Sequence, residues 1–180
     1  LALNCGCTTL TLFTPSIPLG GGLNLSMAQP RDILPELSAA QLLTANFGSQ
    51  KFSHEVIMKN ADNVLSVVGV GPLGNISYSL TYDGHEIHGT DLPTAIKSEH
   101  LKYAVGDIII VFSNSAQLSK ALPAGAKLIE SPQQREVWIN GKKALEINYE
   151  AANHWLGTVK YKNFLRNYEL IIKNLKVDML

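Results

Sequence analysis

The sequence predicts a mainly β (α+β) fold, an antiparallel sheet of about ten strands interrupted once by a helical pair. Three observations carry this. From residue 44 onward, apolar and polar residues alternate through most segments, the period of half-buried strands. Asp83-Gly84 and Asn140-Gly141 separate such segments and suit two-residue hairpins. Between residues 94 and 122 the period changes to that of a helix.

The chain of 180 residues opens LALNCGCTTL, which contains both of its cysteines, Cys5 and Cys7. Two thiolates so close cannot staple the later fold, and no histidine spacing completes a metal-ligand set around them. A short apolar segment, then Gly6 and Cys7, resembles the end of a bacterial lipoprotein signal, which makes Cys7 the lipid-attachment residue. Cys5, preceded by Asn4, fits less well. Residues 8–31 are rich in Thr, Pro, Gly and Leu, with Gly20-Gly21-Gly22 in a row. They read as a flexible tether, and about 23 such residues reach roughly 25–30 Å. Residues 1–31 are therefore expected to be signal remnant, anchor and tether, with residues 32–180 a single domain.

A short helix is expected within 33–43, where the sequence reads LPELSAAQLL. Alternating segments follow at 44–48, 51–59, 63–71 and 75–83. The last is the cleanest, with Ile76, Tyr78, Leu80 and Tyr82 on one face and Asn75, Ser77, Ser79 and Thr81 on the other. The Asp83-Gly84 turn sends the chain back through HEIHG. In the helical region, Leu101, Ala104, Val105, Ile108, Ile109 and Phe112 recur at helical spacing, while Ile110 and Val111 make its end apolar nearly all round. Such a helix is covered on more than one side. Ser113 or Asn114 can cap a second helix, SAQLSKAL, which stops at Pro123 and Gly125. The strands REVWIN and KKALEINYE flank Asn140-Gly141, and segments 155–163 and 167–176 close the pattern.

Composition excludes several functions. Lys+Arg 15 balances Asp+Glu 15 and the basic residues are scattered, so the electrostatic footprint of a nucleic-acid binder is missing. No run of eighteen apolar residues is present to form a membrane-spanning helix. GVGPLG carries glycines at positions 69, 71 and 74 in G-x-G-x-x-G spacing, but a dinucleotide loop must open a helix. Here a strand follows, and Pro72 removes an N–H donor. The segment is instead a strand-to-strand turn with Leu73 at its tip. His85-Glu86-Ile87-His88 lies in a strand, where residues three apart face opposite ways and cannot share a metal. No G-x-S-x-G surrounds Ser113 or Ser115. No catalytic constellation, cofactor or metal site is expected.

The segments VVGVGPLGNISYSLTYDG, LSKALPAG, REVWINGKKALEINY and YELIIKNL, in this order, resemble the LolA/LolB family of periplasmic lipoprotein carriers, especially the outer-membrane acceptor LolB. They resemble still more closely a family of small LolB-like lipoproteins often encoded beside fatty-acid or aryl-polyene synthesis genes. The resemblance covers about residues 40–176. It implies a curved antiparallel half-barrel closed by helices around an apolar cavity for acyl chains. The helical stripe by itself reads as ordinary core. The resemblance turns it into a cavity lid and implies a lining of Ile76, Tyr78, Leu80, Tyr82, Leu101, Val105, Ile108, Phe112, Leu145 and Ile147. Pro72-Leu73-Gly74 matches the membrane-contacting turn of LolB-like acceptors, which assigns Leu73 to the membrane or cargo. The alternative for Leu73 is a side chain folded back over the sheet edge.

The expectation is thus a monomeric, non-enzymatic lipoprotein on the periplasmic face of the outer membrane, lipid-anchored through Cys7. Its partners are lipid or lipoprotein acyl chains. Two rivals keep the same apolar interior: a lipid-modifying enzyme, and a structural lipoprotein whose core is filled by its own side chains.

Overall fold

A computed structural model describes residues 10–13, 16–26, 28–47, 50–71, 73–92 and 98–180, without the side chains of 10–13, 47, 50 and 98. Cys5, Cys7 and Pro72 lie outside the described residues.

The first half of the chain forms β1 (Leu10–Phe13), β2 (Ser16–Gly20), β3 (Leu23–Ser26), α1 (Pro30–Ile33), β4 (Leu37–Phe47), β5 (Gln50–Ala61), β6 (Val64–Val70), β7 (Ile76–Tyr82) and β8 (Glu86–Thr90). The helices α2 (Ser98–Phe112) and α3 (Ser115–Ala121) follow. The chain ends with β9 (Ala126–Ser131), β10 (Gln134–Ile139), β11 (Lys142–Tyr149), β12 (Thr158–Asn163) and β13 (Tyr168–Met179). Eleven strands make one antiparallel sheet in the order β1-β8-β7-β6-β5-β4-β13-β12-β11-β10-β9, with β2 and β3 as a separate two-stranded hairpin. Its two edge strands, β1 and β9, are not paired with each other, so the sheet stays open. Register shifts at Gly69/Val70, Val137/Trp138 and Asn174/Lys176 bend individual strands as bulges do.

Period-2 side-chain alternation gives the sheet one buried face. Met58 opposes Val67, Leu65 opposes Tyr82, and Ile147 opposes Tyr161, and all six are buried. On that inner face lie α2 and the β2–β3 hairpin. In α2, Leu101, Val105, Ile109, Ile110, Val111 and Phe112 are all buried, as expected for a helix covered on more than one side. Asn114 is the cap of α3, its side chain accepting from Gln117 N–H at 2.9 Å.

Two expectations are corrected. Residues 37–43 are not helical but form the first part of β4, whose Leu37 pairs with Asn60 on one side and Met179 on the other. The long strands β5 and β13 offer hydrogen bonds along its whole length, and this tertiary pairing overrides the helical propensity of LSAAQLL. Residues 16–26 are not a tether. Ile17, Leu19, Leu23 and Leu25 are buried, while Asn24 and Ser26 on the other hairpin face are exposed. At the tip, Gly20, Gly21 and Gly22 all have positive φ, which only glycine adopts without strain. Gly106 of α2 meets the hairpin closely, since a Cβ there would lie 2.9 Å from Leu19 and 3.1 Å from Ile17. The strands β1 and β9 also have no counterpart in the expected elements, and β1, paired with β8, lies within residues expected to be signal remnant and tether.

Candidate functional site

The turn from β6 to β7 is closed by backbone bonds from Gly71 to Asn75 O at 2.8 Å and from Gly74 to Gly71 O at 2.9 Å. Leu73 projects from it 95 % exposed. The pairing of Glu55 with Val70 means that Phe52, three residues before Glu55, and Leu73, three after Val70, both pass the same end of the sheet. Ile76, paired with Val70, joins them, and Phe52 and Ile76 are 57 % and 66 % exposed. Each is exposed towards that end of the sheet, and Leu73 alone stands at the turn tip.

Of the other residues expected to line a cavity, Leu80, Tyr82, Leu101, Val105, Phe112, Leu145 and Ile147 are buried and Ile108 is half-buried against the same core. Tyr78 is half-buried, stacked on His54 at 5.4 Å between ring centroids. Ile76 departs from the expectation, standing at the rim, because the bulge between Gly69 and Val70 carries the start of β7 away from the regular register. The structure therefore brings most of these residues together, but as one packed cluster completed by Ile17, Leu19, Leu23 and Leu25. The place expected to hold an open cavity is occupied by the hairpin and helix.

A polar clasp is set into this apolar interior. Asp107 of α2 accepts from Tyr161 Oη at 2.9 Å, from Tyr168 Oη and from Arg166 Nη2 at 2.6 Å. Burial raises the Asp107 carboxyl above the usual carboxylate range, opposed chiefly by the Arg166 guanidinium. That guanidinium lies 4.1 Å from the Tyr103 ring centroid and 4.3 Å from that of Tyr168. Its Nε donates to the Leu19 carbonyl at 3.1 Å, and Asn163 Nδ2 donates to the same oxygen at 3.0 Å. Asn163 Oδ1 meanwhile accepts from the Leu165 and Arg166 N–H groups, so the β12–β13 turn aims both donors at the hairpin.

At the other end of the strands is a cleft of about 530 Å³ bounded by Arg31, Ile33, Phe112, Ser113, His154 and Trp155 among others. Phe112, the one expected cavity residue there, stacks on Trp155 at 4.1 Å. Beneath it, Arg135 is 1 % exposed and donates to Ile110 O at 2.6 Å, Ser113 O at 2.8 Å and Glu130 Oε1 at 2.8 Å. Burial lowers the His154 imidazole, helped by the Arg135 charge. The Ser113 hydroxyl is buried with no hydrogen-bond partner among the described residues.

Sequence reasoning missed the hairpin, the clasp and Arg135. The hairpin did leave a signal, since SIPL and LNLS alternate on either side of GGG, a hairpin pattern masked by proline and glycine content. Asn163 shares its strand parity with Val159 and Tyr161, which marks it as inward-facing. Nothing local marks Asp107, Arg135 or Arg166 as partners.

Fold and site together define a mainly antiparallel β-protein with a helix and a hairpin on the inner face of an open sheet and an apolar turn at its rim. A family described as protein of unknown function (DUF3261) matches residues 38–176, and the chain belongs to that family. No match was found among curated proteins. Among solved structures, the chain is similar to a domain named for outer membrane lipoprotein sorting from Vibrio parahaemolyticus, with 6 % identity, TM-score 0.44, and 81 % of this chain and 85 % of that one covered. It is also similar to a DUF1329 family protein from Desulfovibrio piger, with 8 % identity, TM-score 0.39, and 81 % and 86 % covered. No described helix is long and apolar enough to cross a membrane.

Proposed function

We propose that the protein is a lipoprotein of the periplasmic face of the outer membrane, anchored through Cys7, that binds a lipid or acylated cargo on its apolar inner face and helps it enter a membrane. The observation that carries this reading is Leu73, 95 % exposed at a turn tip. Leaving a leucine there forgoes burial worth roughly 1.5–3 kcal/mol, much of which a bilayer returns. The resemblance of residues 40–176 to lipoprotein carriers and acceptors is in keeping with it.

Leu73→Glu tests the reading. Thermal stability is expected to stay near that of the wild type while delivery of acylated cargo to liposomes is lost. A large fall in stability, with delivery intact per folded molecule, would overturn it.

One observation favours the structural-lipoprotein reading, namely that Ile17, Leu19, Leu23 and Leu25 fill the inner face. Their burial contributes roughly 6–12 kcal/mol, and a sixteen-carbon chain on the same surface contributes about 12 kcal/mol. The chain's contribution equals or exceeds that of the hairpin, so filling by the hairpin is compatible with exchange for a lipid.

A further inference from the structure

The hairpin β2–β3 is attached to the rest of the protein unlike any other element. It pairs with no strand of the main sheet, presents an apolar face inward, and offers one carbonyl, Leu19 O, to two side-chain donors. An apolar arm carrying a carbonyl oxygen is also the outline of an acyl group. We infer that the ground held by β2–β3 is itself an acyl-binding site, that the hairpin stands in for the ligand, and that Asn163 Nδ2 and Arg166 Nε receive the ligand's carbonyl oxygen once the hairpin leaves. This rests on the lipid-binding reading proposed above and adds the place, the head-group donors and the chemical class.

The class follows from charge. Arg166 is already balanced by Asp107 at 2.6 Å, and the oxygen now in place belongs to a neutral amide. A carboxylate would be taken out of water into a site whose cation is spoken for, next to a second carboxylate. The site therefore takes a neutral ester- or amide-linked acyl chain in preference to a free fatty acid. The donors are pre-organised for it, Arg166 by its flanking rings and ion pair, and Asn163 by the turn it caps. Such positioned polar groups at the end of an apolar surface are what orient a ligand.

A reversible lock tests this. A Cβ on Gly21 would lie 3.4 Å from Leu165 Cβ, close to the separation a disulfide needs. The full chain carrying Gly21→Cys and Leu165→Cys, with Cys5→Ser and Cys7→Ser, is titrated oxidised and reduced with a fluorescent hexadecanoic acid and with its methyl ester. The reduced form is expected to bind the ester about tenfold more tightly than the acid, and the oxidised form to lose ester binding by more than tenfold. Equal ester binding in both redox states overturns the hairpin as occupant while leaving lipid binding standing. Acid binding as tight as ester binding overturns the assignment of the donors. Failure of reduced, oxidised and wild-type chains alike to bind either probe sinks the lipid reading together with this inference. Hydrogen exchange on the unsubstituted chain is an independent check: amides of residues 16–26 are expected to lose protection when the ester is added, and unchanged protection counts against the hairpin's departure.

Discussion

Two arginines hold elements onto the inner face of the sheet, and they do so differently. Arg135, near the start of β10, reaches the end of α2 and gives its donors to Ile110 O, Ser113 O and Glu130. The last carbonyls of a helix have no partner within it, and the last turn of α2 carries no basic residue of its own. Tyr149 Oη adds a bond to Val111 O at 2.7 Å. Arg166, from a turn, pairs with Asp107 and donates only one bond to the hairpin backbone. The same guanidinium chemistry ties a helix end through several backbone carbonyls at Arg135 and ties the hairpin through one shared carbonyl at Arg166.

The largest effect expected from breaking this contrast is that of Arg135→Met. It strands two buried carbonyls and removes the charged partner of Glu130, which keeps Ser115, and the cost should be about 3–5 kcal/mol, read as a fall in the urea midpoint. A loss under about 1 kcal/mol would mean that the helix end has other support.

Arg166→Met comes next, at about 2 kcal/mol, because Tyr161 and Tyr168 still donate to Asp107. Its pH dependence sharpens the comparison. Burial already raises the folded-state Asp107 carboxyl, and loss of Arg166 raises it further. The folded protein then holds a proton that the unfolded chain has released, so this contribution is full below the ordinary carboxylate range and falls as pH rises through the folded-state value. The deficit of Arg166→Met relative to wild type should therefore shrink in acid. A pH-independent deficit in chemical denaturation would show that Asp107 does not titrate with folding.

Leu73→Glu should have the smallest effect on stability, within about 0.5 kcal/mol, since it removes no buried contact. Its effect on membrane delivery is expected to be complete, which sets the rim apart from both arginine sites.

Much of this architecture was legible from local pattern. Ile76 to Tyr82 alternates cleanly, the hairpin signals Asp83-Gly84 and Asn140-Gly141 mark their turns, and α2 shows its stripe, because strand and helix periods are properties of neighbouring residues. Leu73 could be placed at a turn tip from Gly71, Pro72 and Gly74 and the alternating strand that follows. The clasp was not legible, because Leu19, Asp107 and the turn that carries Asn163 and Arg166 lie far apart in sequence and share no motif.

By itself, then, the sequence determined the fold class, the order of most strands, the helical pair and the turn that carries Leu73, whose exposure the structure decided. Tertiary structure decided that residues 37–43 extend as a strand, since only β5 and β13 supply the partners along both edges. It also decided that Ile17 to Leu25 form part of the core. Alternation in SIPLGGGLNLS marks which side chains share a face, but whether that face is buried depends on an apolar surface built by residues far away in the chain.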